Sequence, residues 1–435
     1  MTELLISRMQ FGVSIGIHYL FPITTLGLTL FIVIFETLYL TKREEQCRAI
    51  SAFLVKLLSL IFVAGVATGL LMPFSFGANW ARFSTYAGAI LGALISVEAI
   101  TAFALESAFI AILLFGREKV SPRVYWISAV LVFVGAHLSG FWIVAANSWM
   151  QTPAGYAIAD GRVVLINLSQ AIFNHSTLIR FAHVVTAAWL VGALLTAGIA
   201  AYYLARARHE AFAKRLLAIA LPLALVAALA QPVLGHFHIM EVLENNPEKD
   251  AAYEGIFKSV NGAPLLLFGI PDEANQVIHF AVGAPYLLSL LESGDPMGRV
   301  KGLEEFPLEN LPPVNVIFTT FHLMIMLGVV MIGVAALGVF LMWRKKLYAA
   351  RWYLLLLPWL IPLPYLANEL GWIGAEIGRQ PWIIYGVMRT SAASTTTLPL
   401  WQLTLSFACI FLVYTAIAVL TFVSVRTLVQ KGPVH

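Results

Sequence analysis

The chain has 435 residues, of which 60% are hydrophobic and only 11% are charged, and its mean hydropathy is +0.84. A soluble domain of average composition has about a quarter charged residues, so this chain could not cover a water-exposed surface. The composition excludes a soluble enzyme, a nucleic-acid binder and a disordered chain. The net charge of +4 therefore has to be interpreted by position.

The two cysteines, Cys47 and Cys409, form no CxxC or CxxCH pattern. This spacing excludes covalent c-type haem attachment, an iron–sulfur cluster and a disulfide framework. The N-terminal residues lack a short basic region followed by a cleavage site, so no signal peptide is predicted.

Apolar runs predict an all-α integral membrane protein with about nine transmembrane helices. A spanning helix needs about 20 mostly apolar residues. Runs that qualify lie near 11–41, 51–72, 87–115, 122–147, 178–205, 214–236, 313–343, 350–371 and 398–428. The run ending near 371 contains several prolines and is the weakest of the nine. We treat residues 1–435 as a single integral membrane domain.

Basic residues predict the orientation of these helices. Lys and Arg collect in alternate connections, such as 42–48, 117–123, 206–215 and 344–351, and in the C-terminal segment. The positive-inside rule makes these segments cytoplasmic. The N-terminus is then outside and the C-terminus inside, as an odd number of helices requires.

One connection is much longer than the others. Residues 237–312, between the sixth and seventh helices, contain 12 of the 23 acidic residues. Connections of this length usually have a function. The orientation places this loop on the outer face, where an amphiphilic substrate could arrive from the membrane.

Five carboxylates fall inside or at the rims of predicted spans, and such residues are functional candidates by default. Glu98 and Glu106 are separated on one α-helix by roughly 12 Å along the axis and about 80° around it. They could form a proton path, a ligand and a relay, or ordinary interhelical hydrogen bonds. Glu369 and Glu376 share a face if their helix continues that far. Glu36 lies near the cytoplasmic end of its span, where a rim carboxylate can reach water, and there we favour a structural role.

Four histidines lie within or next to predicted spans: His18, His137, His183 and His322. A neutral imidazole is a natural axial ligand of haem iron, and methionine sulfur is the usual second ligand of an electron-transfer haem. Taken alone, each histidine is more often a packed residue, and Met324 is more often core filler.

Several motifs together resemble the haem-bearing large subunit of the cytochrome bd quinol oxidases, and they occur in that family's order. They are SRMQFG (7–12) with His18, FGANW (76–80), VEAITAFALES (97–107), ANSWMQTP (146–153), RFAH (180–183), FGIPD (268–272) and GRQPW (378–382), the last preceded by GWxxAE (371–376).

The resemblance implies a set of haem ligands. His183 corresponds to one axial ligand of a low-spin haem b, and Met324, in FHLM, to the other. His18 and Glu376 correspond to ligands of the paired high-spin haem b and haem d, where some variants hold a further haem b. Arg379 corresponds to an arginine near that pair, at a propionate.

The resemblance also implies roles in proton and quinol chemistry. Glu98 corresponds to a carboxylate beside the oxygen-binding haem, and Glu106 to one on the proton path from the cytoplasm. Lys249 and Glu254, in KDAAYE, correspond to the quinol-binding pair of the family's quinol loop. A lysine can hydrogen-bond a quinol oxygen, and a glutamate can accept its proton. Alone, both residues would be interpreted as solvent-facing.

Two departures from the family pattern affect this interpretation. His322 stands where the family usually has an arginine, which should alter the pairing of a haem propionate. His322 and Met324 are about 200° apart on a helix, so both cannot easily ligate one iron. The loop after FGIPD lacks the long insertion of some members, as in the short-loop group.

The implied function is a terminal quinol:oxygen oxidoreductase that contributes to the proton motive force without pumping. The implied partners are a second membrane subunit and, as often in the family, a small single-helix subunit. Membrane quinol, O2 and the lipid bilayer of a bacterial or archaeal cytoplasmic membrane are the others. Two alternatives stay open. One is a related haem protein with a different donor or acceptor; the other is a proton-coupled transporter, although we find no inverted repeat.

Overall fold

Nine long apolar helices dominate the structure, a computed structural model that describes residues 2–395 and 397–433. Within these residues, the helices suited to span a membrane are, as spans 1 to 9, Glu3–Lys42, Glu45–Ala78, Ala81–Phe115, Pro122–Gln151, Thr177–Ala205, Glu210–Asn245, Val314–Trp343, Arg351–Ile377 and Leu400–Lys431. This result confirms the predicted helical membrane fold and the number of spans.

Most of the observed helices are longer than the predicted apolar runs. The largest difference is at span 6, which continues to Asn245, so the long connection begins at residue 246 rather than 237. Residues 237–245 still alternate apolar and polar side chains at helical spacing, and a helix that has already formed extends at little cost. A hydropathy threshold therefore ends this helix too early.

Two spans depart from regular α-helix. Span 3 contains a π-helical segment, Glu98–Phe103, between Ala81–Val97 and Ala104–Phe115. Span 8 consists of Arg351–Leu356, a 3-10 turn at Leu357–Leu360, and Pro362–Ile377. The prolines that made this run the weakest prediction lie at this interruption, since proline removes a helical hydrogen bond.

Spans 1 and 5 cross backbone to backbone at two glycines. A Cβ added at Gly27 would lie 2.4 Å from the Ala188 carbonyl oxygen and 2.7 Å from the Gly192 Cα. Small residues permit this close approach between membrane helices. The main apolar core forms around this crossing, between spans 1, 2, 5 and 6. Spans 3 and 4 pack beside it, and span 9 lies against spans 1 and 2.

The remaining elements connect the spans at one end of the bundle. Antiparallel pairs form between Tyr156–Ala159 and Arg162–Leu165, Val260–Asn261 and Arg299–Val300, Leu265–Asp272 and Val277–Ala284, and Trp382–Ile384 and Met388–Arg389. Short helices are Leu168–Ile172, Pro247–Glu254, Leu287–Ser293 and Thr390–Ala393, with 3-10 turns at Leu303–Glu305 and Leu308–Asn310. We call Pro247–Glu254 the loop helix. The ends of spans 4, 6 and 8 and the start of span 5 meet beneath it.

Candidate functional site

Glu376 lies at the centre of a polar network at this end of the bundle. The Asn147 amide donates to Glu376 Oε1 at 2.8 Å, and Arg379 Nη2 donates to Oε2 at 2.5 Å. Gln151 Nε2 donates to Oε1 at a longer 3.4 Å. Span 8 continues as a helix through Glu376, as the shared face with Glu369 required. The carboxylate is held on three sides and is therefore well oriented.

Lys249 of the loop helix is part of the same network. Its Nζ donates to Gln151 Oε1 at 3.1 Å and to the Ala375 carbonyl at 3.0 Å. The side chain is only 2% exposed. Burial is the main cause that lowers the pKa of Lys249 well below its usual value, and the nearby Arg180 charge adds to this effect. Gln151 thus joins the loop lysine to Glu376.

Two buried guanidiniums in this region have donors without partners. Arg180 and Arg379 are each 5% exposed, and Nε and one Nη of each lack a hydrogen-bond partner among the described residues. Arg379 is paired with Glu376 through its other Nη, but unpaired donors on a buried cation are costly, so this arrangement favours an anionic group within reach of these donors. Carboxylate groups suit arginine donors particularly well.

His183 and Met324 lie on spans 5 and 7, each beside a glycine. The nearest atom of His183, Cε1, is 3.7 Å from a Cβ built at Gly235, and its Nδ1 has no partner. A Cβ at Gly371 would lie 2.7 Å from the Met324 sulfur. Both residues are half-buried. Because they have no side chain, Gly235 leaves space beside the His183 ring and Gly371 leaves space beside the Met324 sulfur.

His18 is held against span 2. Its Nδ1 lies 2.9 Å from Thr68 Oγ1, and its Cε1 is 3.0 Å from a Cβ built at Gly69. One ring nitrogen is thereby engaged, which orients the ring and leaves Nε2 for a ligand role. Like Glu376, the side chain is only partly buried.

These residues fit a haem. Haem requires axial donors of the imidazole, thioether or carboxylate type, and partners for its two propionates. His18, His183, Met324 and Glu376 are donors of the first kind, and the donors of Arg180 and Arg379 that lack partners among the described residues are suited to the second.

The intramembrane pair, Glu98 and Glu106, faces span 4. Ser139 donates to Glu98 Oε1 at 2.6 Å, and one turn earlier a Cβ at Gly135 would lie 3.3 Å from Glu106 Cβ. The π-helical turn absorbs about one residue, which changes the angle between the pair from about 80° to about 20°. The two carboxyl groups differ in their contacts. Glu98 has an interhelical hydrogen bond, whereas Glu106 is 6% exposed and its Oε1 lacks a hydrogen-bond partner among the described residues.

The structure does not bring Lys249 and Glu254 together. They are five residues apart on the loop helix, so they point about 140° away from each other. Glu254 instead lines a small cavity with Asp250 and Glu292. Neither residue faces solvent, because Lys249 is 2% and Glu254 is 3% exposed.

Three other residues from the sequence have structural contacts. Glu36 is 1% exposed and pairs with Arg117 at 2.6 Å, so it has the structural role that we favoured, in a buried ion pair rather than in contact with water. The Arg117 guanidinium also lies over the Tyr125 ring, which covers the ion pair on that side. His137 lies between the Phe133 carbonyl and Trp189. His322 Nδ1 lies 3.0 Å from the Phe318 carbonyl.

Sequence reasoning missed several residues of this site: Asn147, Gln151, Arg180, Asp250 and Glu292. Asn147 and Gln151 lie within the ANSWMQTP motif, and Arg180 opens RFAH. An arginine within a span is a signal of function that could have identified Arg180. Asp250 and Glu292 gave no such signal, since loop carboxylates are usually solvated.

Comparison with known proteins identifies the family. The model described as "Cytochrome bd terminal oxidase subunit I" matches residues 6–433. The "Cytochrome bd ubiquinol oxidase subunit 1" of Bacillus subtilis is 34% identical, over 100% of this chain and 95% of the relative. The "Cytochrome bd-II ubiquinol oxidase subunit 1" of Escherichia coli is 29% identical, over 98% and 96%. The bd oxidase structure from Geobacillus thermodenitrificans has a TM-score of 0.93 at 27% identity, over 99% of each chain.

The fold and the site thus define a multi-pass membrane oxidoreductase that uses haem. The chain belongs to the cytochrome bd terminal oxidase subunit I family. It is an enzyme subunit of the quinol oxidase class, which works in electron transport together with a second subunit. The transporter alternative is therefore set aside.

Proposed function

We propose that this chain oxidises a membrane quinol at the connection 246–313 and that O2 is reduced to water at a haem pair held near His18 and Glu376. The observation that supports this proposal most is the burial of Lys249 and its contact, through Gln151, with Glu376. Burial of a lysine is costly, so a lysine with no role at this site would be expected to stay in water. The loop helix and the candidate ligand Glu376 thereby belong to one hydrogen-bonded network.

The family resemblance, together with the donors present, supports an assignment of haem ligands. His183 and Met324 would hold a low-spin haem b, and His18 and Glu376 a high-spin pair of haem b with haem d or a further haem b. Arg180 and Arg379 would bind propionates. The bound haems supply the one-electron transfers between quinol and O2 and the iron at which O2 is reduced.

His322 would interact with a haem propionate differently from the arginine that the family usually has at this position. If its Nδ1–H donates to the Phe318 carbonyl, Nε2 is an acceptor and offers a propionate no hydrogen. A haem protein with another donor or acceptor is the second candidate, and this departure is the observation that favours it.

We further propose that the N-terminus and the connection 246–313 lie outside, in the cytoplasmic membrane of a bacterium or archaeon. Protons of the quinol then leave outside, while Glu106 and Glu98 deliver protons for water from the cytoplasm. Charge is thereby separated across the membrane without pumping. Moving each elementary charge against a membrane potential of 100 mV costs about 2.3 kcal/mol. A small single-helix subunit is a further expected partner.

Lys249→Met and Glu254→Gln are expected to lower quinol-dependent O2 uptake about 100-fold, because one removes a donor to the quinol and the other its base. Uptake driven by an artificial one-electron donor should persist. The controls are the exposed residues in Lys258→Met and Glu309→Gln, which should retain normal rates. Unchanged quinol oxidation in both site variants would favour the protein with a different donor.

Glu106→Gln is expected to slow O2 reduction about 100-fold, since the buried carboxyl with an unpartnered oxygen can pass a proton and the amide cannot. Stopped-flow measurement should show normal reduction by quinol but slow reoxidation by O2. Ser139→Ala, which removes only the hydrogen bond to Glu98, should give a smaller effect. Slow reduction and normal reoxidation would contradict the assigned role.

A further inference from the structure

A small cavity lies between the loop helix, the end of span 6 and the helix Leu287–Ser293. Its volume is about 40 Å³, which is room for one to a few waters, since one water needs about 10–15 Å³. Ile239 and Met240 of span 6 form part of its apolar wall, and His236 also lines it. This volume is too small for a quinol ring and suits water.

Three carboxyl groups from two elements line this cavity. Asp250 and Glu254 are four residues apart on the loop helix and so share a face, and Glu292 comes from the helix opposite. Asp250 is 2% and Glu254 is 3% exposed. Asp250 Oδ1, Glu254 Oε2 and Glu292 Oε1 are buried atoms with no hydrogen-bond partner in the part of the chain that the structure describes. Buried polar atoms are normally paired, so these oxygens point to water or protons.

The environment favours the protonated forms of these groups. Burial, and then the charge of Glu292, raises the pKa of Glu254 to about 8. Burial raises the pKa of Glu292 to about 7, and burial together with Glu292 and Glu254 raises that of Asp250 well above its usual value. No lysine or arginine lines the cavity among the described residues. The groups interact, so they titrate as a set rather than singly.

We propose that Asp250 and Glu292 act together with Glu254, through water in this cavity, as a three-carboxyl acceptor for the protons released by the bound quinol. The inference rests on the proposed quinol oxidation and adds two residues to it. Each quinol loses two electrons and two protons, and two quinols with one O2 give two quinones and two waters. The electrons go to O2, and the three-carboxyl acceptor takes the quinol protons and passes them to the outer water.

The test measures quinol-dependent O2 uptake of the whole oxidase against pH for Asp250→Asn and Glu292→Gln, with Glu309→Gln as control. An acceptor must be ionised, so uptake should rise as pH increases through the titration of the set. Removing one carboxyl should move this rise to lower pH by about one unit and lower kcat about tenfold. The control should keep the profile of the unmodified protein. Unchanged profiles in both acceptor variants would overturn the inference.

Further variants separate this inference from the proposed function. Glu254→Gln should lose quinol oxidation whether or not the other two groups take part, so its failure to do so would contradict the function itself. If Asp250→Asn does not fold, as judged by its haem spectrum, Asp250→Glu should keep the activity and the pH profile. Redox-difference infrared spectra should contain a carboxyl C=O band that disappears in Glu292→Gln; a band unchanged in that variant would also overturn the inference.

Discussion

Replacing His183 by alanine is expected to remove the low-spin haem and to lower quinol-dependent O2 uptake by more than about 100-fold. Loss of a residue that only orients a ligand costs about 10–100-fold, and loss of the ligand itself should cost more. His183 lies on span 5 beside Gly235, with an unpartnered Nδ1. The measurement is a reduced-minus-oxidised spectrum together with O2 uptake.

His137→Gln is the matched control for this prediction. His137 is also a histidine within a span, but it lies between the Phe133 carbonyl and Trp189, which are ordinary structural contacts. This variant should retain all haem bands. A His183→Ala protein with a full low-spin spectrum would show that the axial ligand is another residue.

Replacing Glu376 by alanine is expected to remove a high-spin haem and to reduce O2 consumption with any electron donor by more than about 100-fold. The variant would also leave the buried Arg379 without its carboxylate partner, which is strongly destabilising. Thermal unfolding should therefore be measured beside the spectrum. Normal high-spin bands in a folded Glu376→Ala protein would contradict the ligand assignment.

Asn147→Leu provides a graded comparison with Glu376→Ala. Asn147 donates a hydrogen bond to Glu376 Oε1 at 2.8 Å. The Asn147→Leu substitution removes this hydrogen bond but keeps the Glu376 carboxylate. We expect retention of the high-spin haem with a shifted reduction potential and about 10–100-fold lower activity. A loss as large as that of Glu376→Ala would mean that the amide does more than orient the carboxylate.

The sequence was sufficient to predict the nine helices, because membrane spans require long apolar runs and every backbone group must be paired within the helix. Helix ends were predicted less well, as at Asn245, since hydropathy does not report where a helix continues into water. The π-helical turn at Glu98–Phe103 gave no signal, yet it determines that Glu98 and Glu106 share a face.

The composition of the candidate site could be predicted only in part. Motifs identified Glu376, Arg379 and Lys249. The hydrogen-bonded connection from Lys249 to Glu376, however, runs through Gln151, which is 98 positions from Lys249 and 225 positions from Glu376 in the sequence. Such contacts depend on the helix crossing pattern, which composition does not determine. The different surroundings of Lys249 and Glu254 likewise follow from the direction of the loop helix.

The most direct test of the account is O2 uptake by the chain purified with its second subunit, driven in turn by ubiquinol and by menaquinol analogues, with a reduced-minus-oxidised spectrum of the same sample. We expect uptake with at least one quinol, together with low-spin and high-spin haem bands. A sample that contains haem but consumes no O2 with either quinol, or that contains no haem, would contradict the central claim.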